Sequence, residues 1–124
     1  MIGDVEAVAT IPVKDIEVAK KFYKETLRLK SVDTPQRGVL EFESGHGKVL
    51  VYQSQFAGTN KATAATWPVA DVEKEVADLK ARGVAFEHYD MPGVTLRGDV
   101  HVTGDTKSAW FKDPDGNILA VVGH

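Results

Sequence analysis

The chain has 124 residues, of which 43% are hydrophobic and 27% charged, with 15 basic against 18 acidic side chains and a net charge of −3. That balance suits a packed core and excludes a disordered chain or a basic nucleic-acid footprint. No apolar run approaches the roughly 20 residues that a membrane span requires, and the lack of cysteine removes disulfides, thiolate metal sites and thiol nucleophiles together.

The opening Met1-Ile2-Gly3-Asp4-Val5-Glu6 has no basic region followed by an apolar stretch, so a cytoplasmic location is expected. A short apolar run, Ala9-Thr10-Ile11-Pro12-Val13, then leads into Asp15. Asp15 suits a helix N-cap, because its carboxylate can accept an otherwise unpaired N–H of the first turn. A helix is predicted from about Ile16 to Leu27, with Ile16, Ala19, Phe22, Tyr23 and Leu27 on one stripe. Three strands follow, at about Lys30–Asp33, Gly38–Glu43 and Lys48–Gln53, with Gly45-His46-Gly47 as the turn between the last two. Ser54 to Lys61 reads as a linker.

The pattern then repeats. Ala65-Thr66-Trp67-Pro68-Val69-Ala70-Asp71-Val72-Glu73 matches residues 9–17 at an offset of 56, with six of nine positions identical. Asp71 takes the place of Asp15, and a helix is predicted from about Val72 to Arg82, with Val72, Val76 and Leu79 inward and Gly83 closing it. Strands are predicted at Ala85–Tyr89, Ser108–Lys112 and Asn117–Val122, with Met91 to Gly104 as a long loop and Asp113-Pro114-Asp115-Gly116 as a strong turn. Gly47-Lys48-Val49-Leu50-Val51 aligns with Gly116-Asn117-Ile118-Leu119-Ala120. Each half therefore reads β-α-β-β-β, the first over about residues 1–54 and the second over about 62–124 of a single α+β domain.

Val13-Lys14-Asp15-Ile16 with Phe22-Tyr23 and Leu27 resembles the first-module signature of the vicinal oxygen chelate superfamily (glyoxalase, bleomycin-resistance and dioxygenase proteins). Trp110-Phe111-Lys112-Asp113-Pro114-Asp115-Gly116-Asn117 resembles its second-module ending. The resemblance covers nearly the whole chain; Arg28 departs from it, standing where the family usually has glycine. It implies two βαβββ modules forming a curved mixed sheet around a cavity, paired as a homodimer. In metal-dependent relatives a divalent ion sits in that cavity, and the ligand positions fall here on Val8, Val51, Ala64 and Ala120. None of these side chains has a donor atom, and a divalent ion needs converging oxygen or nitrogen ligands. The expectation is a chain without the family's metal, and with no cofactor.

Without the metal, the cavity should be mostly apolar with a few polar anchors. Candidates to line it are Tyr52, Trp67 and Trp110, with Ser54, Asn60, Thr66 and Tyr89; each has an alternative as core packing or as a turn stabiliser. Thr59 and Thr63 lie in the same polar linker, and Glu41 and Glu43 alternate along one strand, where solvent-facing carboxylates are the ordinary case. Of the four histidines, His46 falls in a turn and His124 ends the chain. His88, Asp90 and His101 form a candidate acid–base or metal cluster, since imidazole titrates near neutrality; local hydrogen bonding at the rim is the alternative. The reading is a metal-independent binding protein that sequesters a small organic molecule, with no nucleic-acid or membrane partner. The alternative is an enzyme of the superfamily, a lyase, isomerase or dioxygenase, using those acid–base residues or an unrecognised metal site.

Overall fold

The computed structural model describes residues 1–34 and 36–124. After a single 3-10 turn at Ile2–Asp4, β1 (Ala9–Val13) leads to α1 (Ile16–Lys21). The helix starts as expected, because Asp15 Oδ1 accepts the backbone N–H groups of Glu17 (3.0 Å) and Val18 (3.2 Å). It does not finish as an α-helix. Phe22–Thr26 widens into a π-helical segment, closed by Leu27 N–H on the Phe22 carbonyl and Leu29 N–H on the Tyr23 carbonyl, each at 3.0 Å. Between those two bonds Arg28 takes a φ of 59°, the one positive value outside glycine among the described residues. Helices commonly place glycine at such an exit. For an L-residue the left-handed conformation costs about 1–2 kcal/mol.

The first sheet contains β2 (Lys30–Val32), β3 (Val39–Ser44) and β4 (Gly47–Gln53) in the order β1-β4-β3-β2, with β1 parallel to β4. The second half repeats that order. β5 (Thr63–Pro68) leads to α2 (Val72–Ala81), capped by Asp71 Oδ1 on Lys74 N–H at 3.1 Å. β6 (Phe86–Glu87), β7 (Thr95–Arg97), β8 (Val100–Thr103), β9 (Thr106–Lys112) and β10 (Ile118–Gly123) follow. The second sheet runs β5-β10-β9-β8-β7, with β6 also on β9 and β5 parallel to β10. This is the glyoxalase/bleomycin-resistance α+β fold anticipated above, with one elaboration. Met91 to Gly104 is not a plain loop: it folds into the β7–β8 hairpin, and His101 is a strand residue. The hairpin takes part of the edge of β9. β8 pairs with Thr106 to Ser108, which leaves only Trp110 and Phe111 for β6. β6 is therefore two residues long, and His88, Tyr89 and Asp90 lie beyond it.

One face of each sheet is covered by its helix. Ile11, Val13, Phe42, Val49 and Val51 from the first sheet join Ala109, Phe111, Leu119 and Val121 from the second in one continuous core, with Ala19 and Tyr23 below one and Val72, Val76 and Leu79 below the other. No helix is long and apolar enough to cross a membrane among the described residues.

The two halves are joined through a buried carboxylate. Asp113, 4% exposed, accepts the Tyr23 phenol (2.7 Å) and the Asn117 amide (2.8 Å) on Oδ2, and the backbone N–H groups of Asp115 (3.0 Å) and Asn117 (2.9 Å) on Oδ1. Asn117 Nδ2 also donates to the Pro12 carbonyl at 2.7 Å, and Asp115 Oδ1 accepts Lys14 N–H at 3.1 Å. The turn between the last two strands is thereby fastened to the first strand and first helix. Burial next to Asp113 pushes the Tyr23 phenol far above its usual range, so it remains a neutral donor. The linker passes close over the same turn: a Cβ on Gly58 would stand 1.9 Å from the Asp115 carbonyl oxygen, so only glycine fits. Tyr23→Phe should remove a charge-assisted bond from a buried acceptor and lower stability by about 2 kcal/mol. Urea denaturation checks this; an unchanged midpoint would show that the Asp113 network does not hold the halves together.

Candidate functional site

The faces of the sheets turned away from the helices are where side chains are free to meet a ligand. Strand alternation assigns them. In the second sheet Ala120 pairs with Thr66 on one side and Trp110 on the other. In the first sheet Leu50 pairs with Thr10, the residue that matches Thr66 in the repeat. Leu50, not Val51, is therefore the counterpart of Ala120. Val51 pairs with Ile11, is wholly buried, and belongs to the helix-side core. The expected register was one residue off because the two hairpins differ. β3 and β4 pair as far as Ser44 with Gly47, around Gly45 and His46, whereas the last pair between β9 and β10 is Lys112 with Ile118. A β-bulge in β5, between Thr63 opposite Ile118 and Ala65 opposite Leu119, turns Thr63 toward Trp110 and packs Ala64 against the core. With Leu50 in place of Val51 and Ala64 packed toward the core, the open-face residues of the expected ligand set are Val8, Leu50 and Ala120, again without a donor atom. These residues do not fit a divalent ion, and no group of three or more His, Asp or Glu side chains converges elsewhere among the described residues.

The open face of the second sheet instead carries an aromatic cluster. The His101 ring lies 4.8 Å from Trp110 and 6.1 Å from Tyr89, and Tyr89 lies 5.5 Å from Trp110, with both contacts to Trp110 edge-on. His101 is 2% exposed. Its Nε2 accepts the backbone N–H of Tyr89 at 2.9 Å, which fixes the neutral tautomer with the proton on Nδ1. That Nδ1–H has no partner, and neither does the buried Tyr89 hydroxyl. Burial, reinforced by Glu87, pushes the Tyr89 phenol up, so the hydroxyl keeps its proton. An unpaired buried donor costs about 1–3 kcal/mol. The Trp110 indole N–H is already engaged, donating to Thr63 Oγ1 at 3.1 Å.

The expected His88–Asp90–His101 cluster forms only in part. The two imidazoles are 6.4 Å apart, but Asp90 bonds to neither. The carboxylate partner of His88 is Asp99, at 2.7 Å from Nε2, and Asp99 also receives Lys80 Nζ at 2.7 Å. Asp99 sits between β7 and β8, in a hairpin without a strong local signature, so its approach to His88 has no signal in spacing. His88, Tyr89, Asp90, Val94 and Leu96 line a cleft of about 260 Å³ beside the cluster. A carboxylate-oriented imidazole at its edge has the geometry of an acid–base pair.

The remaining candidates divide. Thr66 and Tyr52 are exposed on open faces. Trp67 is not a partner of Thr66: it points the opposite way, pairs with Val121 against the helix-side core, and donates its indole N–H to Ser44 Oγ at 2.8 Å. Ser54 and Asn60 stabilise turns, accepting the N–H groups of Phe56 (3.1 Å) and Ala62 (3.0 Å), although Asn60 also borders a cleft with Thr10 and Thr63. Glu41 and Glu43 are paired across strands with Lys48 (3.8 Å) and Lys30 (3.9 Å).

Hydrogen bonds from Lys80 and then His88 hold the Asp99 carboxyl below its ordinary value of 3.8. A depressed carboxylate contributes stability above the unfolded value and loses it as pH falls through the folded one. The melting-temperature gap between the protein and its Asp99→Asn variant should therefore be constant above about pH 4 and close as acid protonates Asp99. A gap independent of pH would show that the ionised carboxylate does not tie the hairpin down.

The family model described as Glyoxalase/Bleomycin resistance protein/Dioxygenase superfamily matches residues 6–121. No curated protein matches the chain significantly. Among solved structures, TnmS3, an antibiotic binding protein from Streptomyces sp. CB03234, is 24% identical over 96% of each chain, with a TM-score of 0.67. FosX, the genomically encoded fosfomycin resistance protein of Listeria monocytogenes, is 15% identical over 97% of this chain and 93% of its own, with a TM-score of 0.72. The lactoylglutathione lyase of Agrobacterium tumefaciens is 16% identical over 96% and 92%, with a TM-score of 0.71. With both modules in the expected strand order and the match running from before the first strand into the last, the chain belongs to the Glyoxalase/Bleomycin resistance protein/Dioxygenase superfamily.

Proposed function

We infer that the 124 residues act as one domain that binds and sequesters a small organic molecule on the open face, without a metal, as half of a homodimer. One observation carries the reading: the buried Nδ1–H of His101 and hydroxyl of Tyr89 lack partners next to Trp110. A planar molecule with a carbonyl or similar acceptor would satisfy a donor there and lay its body against the aromatic rings. Val8, Leu50 and Ala120 give an apolar floor where a metal enzyme of this fold would need ligands. The likeness to an antibiotic binding protein agrees with a ligand of this class.

A thermal-shift panel of planar natural products should contain compounds that stabilise the protein, by about 2.7 kcal/mol at a concentration near 100 times Kd. Trp110→Ala and His101→Leu, checked for folding by circular dichroism, should each weaken binding by about tenfold or more. Chelator treatment should leave binding unchanged, and elemental analysis should find less than stoichiometric metal. A panel without any stabilising compound, or binding abolished by chelator, would overturn the reading.

Pairing is supported by the apolar side chains left uncovered at Val8 (42% exposed), Tyr52 (36%) and Phe56 (66%). Sedimentation velocity should give twice the chain mass of 13.5 kDa. A single species at the monomer mass would exclude the homodimer.

A further inference from the structure

We propose a second small-molecule site, for an aryl carboxylate, on the helix side of the sheets and behind the Trp110 cluster. A cleft of about 260 Å³ opens there between the two halves. Its floor is apolar, with Leu27 from the first half and Trp67, Leu79 and Phe111 from the second. Its charged border is Arg28 and Arg82 against the single carboxylate of Glu75. A flat hydrocarbon body matches the floor, and a carboxylate matches a border with two cations and one anion.

Two features separate this cleft from a chance groove. First, both guanidiniums are available. Neither makes an ion pair with a carboxylate among the described residues. Arg82 donates through Nη1 to the Thr26 carbonyl, which holds it in place and leaves most of its five N–H donors free. Second, Arg28 sits at a helix exit with φ 59°, where glycine would be unstrained. Backbone strain of this kind clusters at binding sites, where the side chain it positions has work that the easier residue cannot do. Here the strained residue carries a long cation to the edge of an apolar cleft. Trp67 does not compete for the ligand's oxygens, because its indole N–H is satisfied by Ser44.

The test uses 2-naphthoate and its neutral twin 2-naphthamide, followed by the two tryptophan indole N–H signals in nitrogen–proton correlation spectra. Naphthoate should shift the Trp67 signal and leave the Trp110 signal in place, and naphthamide should bind about tenfold more weakly. Arg28→Gly should melt no lower than the parent chain while losing about tenfold in naphthoate affinity and nothing in naphthamide affinity. Trp110→Ala should leave naphthoate binding intact, so failure here is separate from failure of the open-face reading. The proposal is overturned by equal affinity for acid and amide, by unchanged naphthoate binding in Arg28→Gly, or by a response at Trp110 instead of Trp67.

Discussion

A buried carboxylate sets the geometry on which the rest depends. Asp113 is nearly inaccessible to water, so its charge must be met inside the protein or its burial would cost far more than folding could tolerate. Four donors meet it, and they come from different parts of the chain: the phenol of Tyr23 in the first helical segment, the side-chain amide of Asn117, and two backbone groups of its own turn. Asn117 extends the network to Pro12 and Asp115 extends it to Lys14. Removing any one donor leaves a charged acceptor short, which is why such a network specifies a geometry as well as stabilising it. The turn between β9 and β10 is held against β1, and with it the relative placement of the two sheets near that junction.

That placement decides which surfaces are left for function. Each helix covers one face of its sheet, and the two covered faces share a core. Pocket-forming side chains must then lie either on the opposite faces or in a seam between the halves. Both occur. The open face of the second sheet holds His101, Tyr89 and Trp110, brought together because β8 and β6 occupy neighbouring stretches of the same edge of β9. The seam holds the cleft bordered by Arg28 and Arg82. The two proposed sites are on opposite sides of one layer of strands, and Trp67 and Trp110, on adjacent levels of the second sheet, face different surfaces.

Much of this architecture was legible in the chain itself. The repeat at Asp15 and Asp71 gave both helix starts, because an N-cap carboxylate acts locally and its position depends on nothing distant. The Asp113–Gly116 turn was equally plain. What failed to show was whatever depended on pairing between segments far apart. Val51 lies on the helix-side face and not the open one, because aligning the two final turns by glycine ignores the different lengths of their hairpins, and one residue of slip inverts a strand. Residues 91–104, which read as a loop for their glycines, form a hairpin whose strands are only three and four residues long, too short for their alternation to stand out. His101 could be seen as a candidate but not as a buried one, and Asp99 could not be matched to His88 before that hairpin was known. The π-helical segment and the strained Arg28 also had no local signature beyond a missing glycine.

The chemistry at the open face follows from which atoms the strands present. A divalent ion is held by lone pairs aimed at one point, and the side chains of Val8, Leu50 and Ala120 supply none. The cluster beside them presents the reverse: hydrogen atoms on His101 Nδ1 and Tyr89 Oη with no lone pair to meet them. On the proposed reading, donors in place of acceptors would exchange the class of partner, from a cation to an organic molecule bearing oxygen. The His101 tautomer makes this specific, because Tyr89 N–H occupies Nε2 and so keeps the proton on Nδ1. A metal would require that nitrogen to give up its proton, whereas a carbonyl oxygen requires it to stay. The same hydrogen bond that ties His101 of β8 to Tyr89, just beyond β6, would therefore also favour an acceptor at Nδ1, and a ligand bound there would be stabilised by the roughly 1–3 kcal/mol that the unpaired donor costs without it, less its own desolvation.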